Sequence, residues 1–169
     1  MITPRHAAVM ARYNTWQNNQ LLRVLEGMDE AALQQDRGAF FGSIQGTLNH
    51  LLWGDMLWAS RFGAEVEAPG GSIQQSATLW PDRASWAAAR TDCDTAIRAW
   101  AEALTATDLQ GDLFWYSGVM QAEVHKLKAL CITHFFNHQT HHRGQVHAML
   151  TAAGHDAPVS DLIFMPEDT

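Results

Sequence analysis

The sequence predicts an all-α four-helix bundle with a short β-hairpin between the third and fourth helices. Three observations carry this. Apolar residues recur at helical spacing over four stretches of the chain. Residues that start and stop helices bracket those stretches. A chain of 169 residues, 47% of them hydrophobic, is large enough for one sizeable core and leaves no case for disorder. Residues 1–169 are therefore expected to form a single domain.

The elements follow in order. Thr3-Pro4 has the form of an N-cap with proline at the first helical position, and Met10, Tyr13, Leu21, Val24 and Leu25 continue at helical spacing to a stop at Gly27. Residues 28–42, with Gly38 and Gly42, are expected to be a loop. Ser43 caps a second helix that runs to about Phe62. The stretch from Gly63 to Pro81 contains Pro69-Gly70-Gly71-Ser72 and reads as a long surface connection. Asp82 caps an alanine-rich third helix through Trp86, Ile97, Trp100 and Leu104. Strand-like Leu113-Phe114-Trp115-Tyr116, the turn signal Ser117-Gly118 and a weak alternation to Val124 predict the hairpin. A fourth helix is expected from about His125 to Ala153, with Gly154 as its C′ residue and an irregular tail beyond.

Composition narrows the partners. A net charge of −7, with Lys126 and Lys128 the only lysines, argues against nucleic acid, which relies on clustered basic residues. The richest apolar stretch, Leu48 to Ala59, is broken by Asn49, His50, Gly54 and Asp55 and is too short to span a bilayer. No apolar leader is visible in Met1-Ile2-Thr3-Pro4-Arg5, so a cytoplasmic location is expected, with Cys93 and Cys131 as reduced, buried thiols.

The chemistry concentrates in the fourth helix. His134, His138, His141 and His142 fall within nine positions, and Arg143, Gly144 and Gln145 follow directly. Residues four apart on a helix share a face. A tetrahedral metal needs two imidazole nitrogens at about 2.0–2.1 Å, hence roughly 3.3 Å from each other. The pairs 134/138 and 138/142 both meet that demand. At 100° per residue from His134, the four histidines and Gln145 share an arc of about 100° that also touches Leu127, Leu130, Cys131 and Met149. That arc is expected to face inward, and His125 and His147 to face elsewhere.

Two ligands from one helix leave a zinc-like ion under-coordinated, so another helix must contribute. His50 is the leading candidate, with open space expected beside it at Gly54. Asp55 points away on the same helix, while Glu123 and Asp161 are alternative carboxylate ligands. Arg143 is a candidate contact for an anionic substrate group, with a surface salt bridge as its plainer role.

The run Phe136-Asn137-His138-Gln139-Thr140-His141-His142-Arg143-Gly144-Gln145 closely resembles the last-helix signature of DinB-like proteins. Tyr13-Asn14-Thr15-Trp16-Gln17-Asn18, Asn49-His50-Leu51 and Ser160-Asp161-Leu162-Ile163-Phe164 resemble that family's other motifs. The resemblance implies a four-helix bundle, often a homodimer, holding one divalent metal on His50, His138 and His142. His134, His141 and Gln145 then become catalytic or supporting pocket residues. It further implies a zinc or nickel ion and, as in thiol-dependent S-transferases and isomerases, a low-molecular-weight thiol acting on a small-molecule substrate. Hydrolysis fits less well, because no carboxylate with general-base spacing accompanies the triad. The alternative function is a non-catalytic metal-binding stress-response protein.

Overall fold

The computed structural model describes residues 2–167. Four long helices, α1 (Pro4–Glu26), α3 (Ile44–Phe62), α5 (Arg83–Ala103) and α6 (Lys128–Ala152), form the bundle, and two short ones, α2 (Glu30–Gln34) and α4 (Ile73–Ser76), lie in the connections. A two-stranded antiparallel sheet, β1 (Asp112–Ser117) and β2 (Ala122–Leu127), separates α5 from α6.

Side-chain caps fix three helix starts. Thr3 Oγ1 accepts from the His6 N–H at 3.1 Å, Ser43 Oγ from the Gly46 N–H at 3.0 Å, and Asp82 Oδ1 from the Ser85 N–H at 2.8 Å. Each satisfies one of the orphan donors in a first turn. At the far end of α3, Gly63 takes a φ of 89°, the left-handed conformation that closes a helix without a Cβ penalty.

Helix α1 packs mainly on α5, and α3 on α6. The first three turns of α3 are buried on every side, from Ile44 through Asp55. The core gathers Leu25, Leu33, Ile44, Leu48, Leu52, Trp86, Ile97, Ile132, Phe135 and Leu150, all essentially inaccessible. Burial stabilises by about 1.5–3 kcal/mol for each such aliphatic or phenyl side chain. Among the described residues no helix is long and apolar enough to cross a membrane.

Three sequence expectations need correction. The connections at 28–42 and 63–81 each hold a short helix, and both short helices contribute buried side chains, Leu33 and Ser76. The hairpin extends further than expected, pairing Asp112 with Leu127, so α6 begins at Lys128 and His125 belongs to β2. There the exposed His125 meets Asp112 at 2.8 Å and stacks on Phe114. Finally, the buried face of α6 is not the histidine arc. Its centre is Phe135, Gln139 and Val146, whereas Leu127, Leu130, His134 and His141 are exposed. The histidines occupy the flank of the buried stripe, where α6 leaves the core and borders a cleft.

Candidate metal centre

Helices α3 and α6 bring His50, His138 and His142 together, with one ring nitrogen from each within 4.8 Å of the others. His50 and His142 are buried and His138 is partly so. The Nε2 atoms of His50 and His138 stand 3.3 Å apart, the edge expected of about 2.0–2.1 Å bonds in a tetrahedron.

The hydrogen bonds around the rings assign the tautomers. Ser76 Oγ donates to the Ile73 carbonyl at 2.6 Å, so it accepts from His50 Nδ1–H at 2.9 Å. Gln145 Oε1 accepts from His142 Nδ1–H at 2.8 Å, while Gln145 Nε2 donates to His141 Nε2 at 3.2 Å. Both His50 and His142 therefore turn an Nε2 lone pair toward the cluster. Partners of this kind orient metal-ligating histidines. His138 lacks one: its Nδ1 is buried with no hydrogen-bond partner among the described residues. Lone pairs converging in this way are costly unless a cation or a shared proton satisfies them. The donor set fits a divalent transition metal, and the triad can hold one.

Packing holds the rings in place. Phe41 stacks on His50 with centroids 3.9 Å apart and planes 18° from parallel. The space expected at Gly54 is real, and the His138 ring fills it. A Cβ at Gly54 would lie 2.7 Å from His138 Cε1 and 3.3 Å from Nδ1. Alanine at this position should displace the ring and weaken metal affinity by at least the roughly tenfold that a supporting partner contributes. The metal-free protein should change little in stability, because alanine's helix advantage of up to about 1 kcal/mol over glycine offsets much of the cost of moving the ring. Metal titration and thermal unfolding of Gly54→Ala check the two halves separately.

Burial, then the charge of neighbouring histidines, lowers the pKa of His50 to about 4 and of His138 to about 3. His142 is also lowered by burial, against the opposing effect of the hydrogen bond it donates to Gln145. The three rings are neutral at neutral pH, the form that ligates. Unfolded histidines take up protons below about pH 6.5. Their contribution to stability is thus fully present above about pH 6.5 and is lost as pH falls toward the folded values. Chelated wild type should lose more thermal stability on acidification from about pH 7 to pH 5 than His138→Ala does. Equal losses would contradict the shift.

The remaining sequence candidates separate clearly. His134 and His141 line the cleft but stay outside the close triad; His134 lies edge-on to Trp58 with centroids 5.3 Å apart. Glu123 and Asp161 are exposed and do not line the cleft. Asp55 is buried in an ion pair with Arg90 at 2.6 Å. Arg143 is buried on the core side of α6, donating to Asn14 Oδ1 and stacking over Tyr13. It does not reach the histidine cleft, which removes it as the anion contact there, and among the described residues it makes no surface salt bridge. Cys93 and Cys131 are buried free thiols, and burial pushes Cys93 up to about 12.

The cleft beside the triad has a volume of about 1080 Å³ and is walled by Phe40, Phe41, Trp53, Trp58 and Trp115. Sequence reasoning misses Ser76, the buried partner of His50, and Arg61, which lines the cleft. The signal for the first is the capping box Ser72-Ile73-Gln74-Gln75, which marks a helix start. For the second it is the spacing His50, Gly54, Leu57, Trp58, Arg61, one continuous helical stripe.

The fold agrees with the comparisons. No curated protein matches the sequence. Among solved structures, a DinB-like protein from Bacillus cereus superposes with a TM-score of 0.63 over 86% of this chain and 91% of its own, at 18% identity. That likeness concerns the fold. The sequence profile of the DinB family matches residues 1–169, and the chain belongs to the DinB family.

Proposed function

We propose that this chain is a metal-dependent enzyme using a small thiol, of the S-transferase or isomerase kind, with His50, His138 and His142 as the ligands of one zinc or nickel ion. The observation that carries the reading is that three neutral imidazoles converge at the wall of a large open cleft. Structural zinc sites are normally closed and rich in thiolate, whereas catalytic ones keep a position open. When bound, such an ion lowers the pKa of a coordinated water or thiol toward neutrality.

The protein's own groups supply the rest. Ser76 and Gln145 fix the rings of His50 and His142. His134 and His141, exposed on the cleft wall, are positioned to move a proton to or from bulk water. The aromatic walls suit an apolar substrate body. Among the described residues no Asp or Glu lines the cleft, which favours sulfur transfer over hydrolysis through a carboxylate base. The working unit is a single domain, acting as a homodimer in the cytoplasm.

The test is a panel of low-molecular-weight thiols and electrophiles given to metal-loaded wild type and to His142→Ala. Thiol-dependent turnover that disappears in the variant supports the enzyme. Tight metal binding without turnover for any pair would instead make this a non-catalytic metal-binding stress protein.

A further inference from the structure

Arg61 sits in the last turn of α3, eleven residues after His50 and on the same stripe. Its guanidinium carbon lies 4.9 Å from the Trp58 ring centre and 5.4 Å from that of Trp115 on β1. Stacking of this kind engages the faces of the guanidinium and leaves its N–H edges available. Among the described residues Arg61 makes no ion pair and donates no hydrogen bond.

Four other arginines are spoken for. Arg90 bridges Asp55 and Asp94, Arg143 meets Asn14, Arg83 binds carbonyls at the end of α1, and Arg98 reaches Glu102. Arg61 is also the one charged side chain among the described residues lining the histidine cleft, which holds no Asp, Glu or Lys. A helix C-terminus attracts a basic residue, and that accounts for an arginine in this turn. It does not account for a half-buried cation with no anion beside it, facing a cleft of histidines. Such a cleft concentrates anions.

We propose that Arg61, held against the touching rings of Trp58 and Trp115, is the subsite for a carboxylate of the small molecule that reaches the histidine triad. This deepens the metal-dependent thiol reading and rests on it for the second anchor. Eleven residues separate the two α3 backbone positions by roughly 16 Å. The arginine side chain leans back toward the N-terminal end of the helix, which shortens the gap. The ligand therefore carries its anion several bonds from the atom that approaches the triad. Desolvation by burial lowers the guanidinium's pKa, as expected of a cation held away from water without a counter-ion.

The experiment compares mercaptohexanoate with uncharged mercaptohexanol on the full-length protein, with and without cobalt. Calorimetry gives affinity, and the sulfur-to-cobalt absorption band reports thiol approach to the triad. Wild type should prefer the carboxylate by about 10–100-fold, the worth of one charge-assisted hydrogen bond. Arg61→Gln should bring the ratio to about one, and Arg61→Lys should retain part of it, because it keeps the charge but not the fork. Equal affinity for the two probes in wild type, or a preference that survives Arg61→Gln, overturns the proposal. An absorption band with both probes but no preference would end the subsite alone. An Arg61-dependent preference without any band, or without cobalt uptake, would uphold the subsite and sink the metal reading.

Discussion

Methionine in place of Arg90 is expected to destabilise the fold by about 3–5 kcal/mol, the usual cost of removing one partner from a buried ion pair. Arg90 is inaccessible, with Nη1 2.6 Å from Asp55 and Nη2 2.7 Å from Asp94. Asp94 also accepts from Asn14 and Asn18, and Asn14 accepts from Arg143. This one network ties α1, α3, α5 and α6 at the middle of the bundle. Its two arginines and two aspartates cancel in charge, so losing Arg90 strands a negative charge where water cannot reach. At about 2–4 °C per kcal/mol for a chain of this size, the melting temperature should drop by roughly 6–20 °C. The loss should depend on pH. Complete burial already pushes the Asp55 carboxyl up to about 6 despite Arg90, and without the arginine it rises further. A carboxyl whose folded pKa exceeds its unfolded one gains stability as pH falls between the two. The deficit should thus be largest above about pH 7 and shrink toward pH 5. A deficit below about 1 kcal/mol at neutral pH, the scale of an exposed pair, would mean that the network is far better solvated than its burial indicates.

Alanine at His138 is expected to abolish stoichiometric metal binding at micromolar protein. The three rings form a near-equilateral cluster, with the His138 centroid 5.2 Å from that of His50 and 4.4 Å from that of His142, and those two 4.7 Å apart. Removing it leaves two imidazoles on different helices. Loss of a mere supporting partner costs about 10–100-fold in affinity, and loss of a ligand should cost more. A ligand that binds only the folded state at a hundred times its dissociation constant adds about 2.7 kcal/mol. Metal should therefore raise the melting temperature of wild type and leave that of His138→Ala unchanged. Comparable shifts in both proteins would place the ion elsewhere.

The helix starts were legible because they are written in local chemistry. Thr3, Ser43 and Asp82 each cap with their own side chain. The start of α6 is not written that way: Leu127 makes no side-chain cap, and β2 is almost wholly exposed, so no alternation of burial marks it as a strand. The close triad was likewise within reach of spacing and resemblance together. Spacing alone allows 134/138 as well as 138/142, and only the tertiary approach of His50 separates them. The apolar residues beside the histidine arc mislead about the inward face of α6, because Leu127 and Leu130 among them are exposed. A site open to a cleft must lie at the margin of the core, about a quarter turn from Phe135 and Gln139. Arg143 follows from the same geometry. Five residues beyond His138 it points about 140° away, into the core and toward Asn14. Arg61 was overlooked because its meaning depends on Trp115, which reaches it from a strand more than fifty residues later.

The most direct test of the centre is anomalous diffraction from crystals of tag-free protein loaded with cobalt. One peak per chain is expected, within bonding distance of ring nitrogens of His50, His138 and His142. A peak at any other group of side chains, or none at full cobalt saturation, would contradict the assignment.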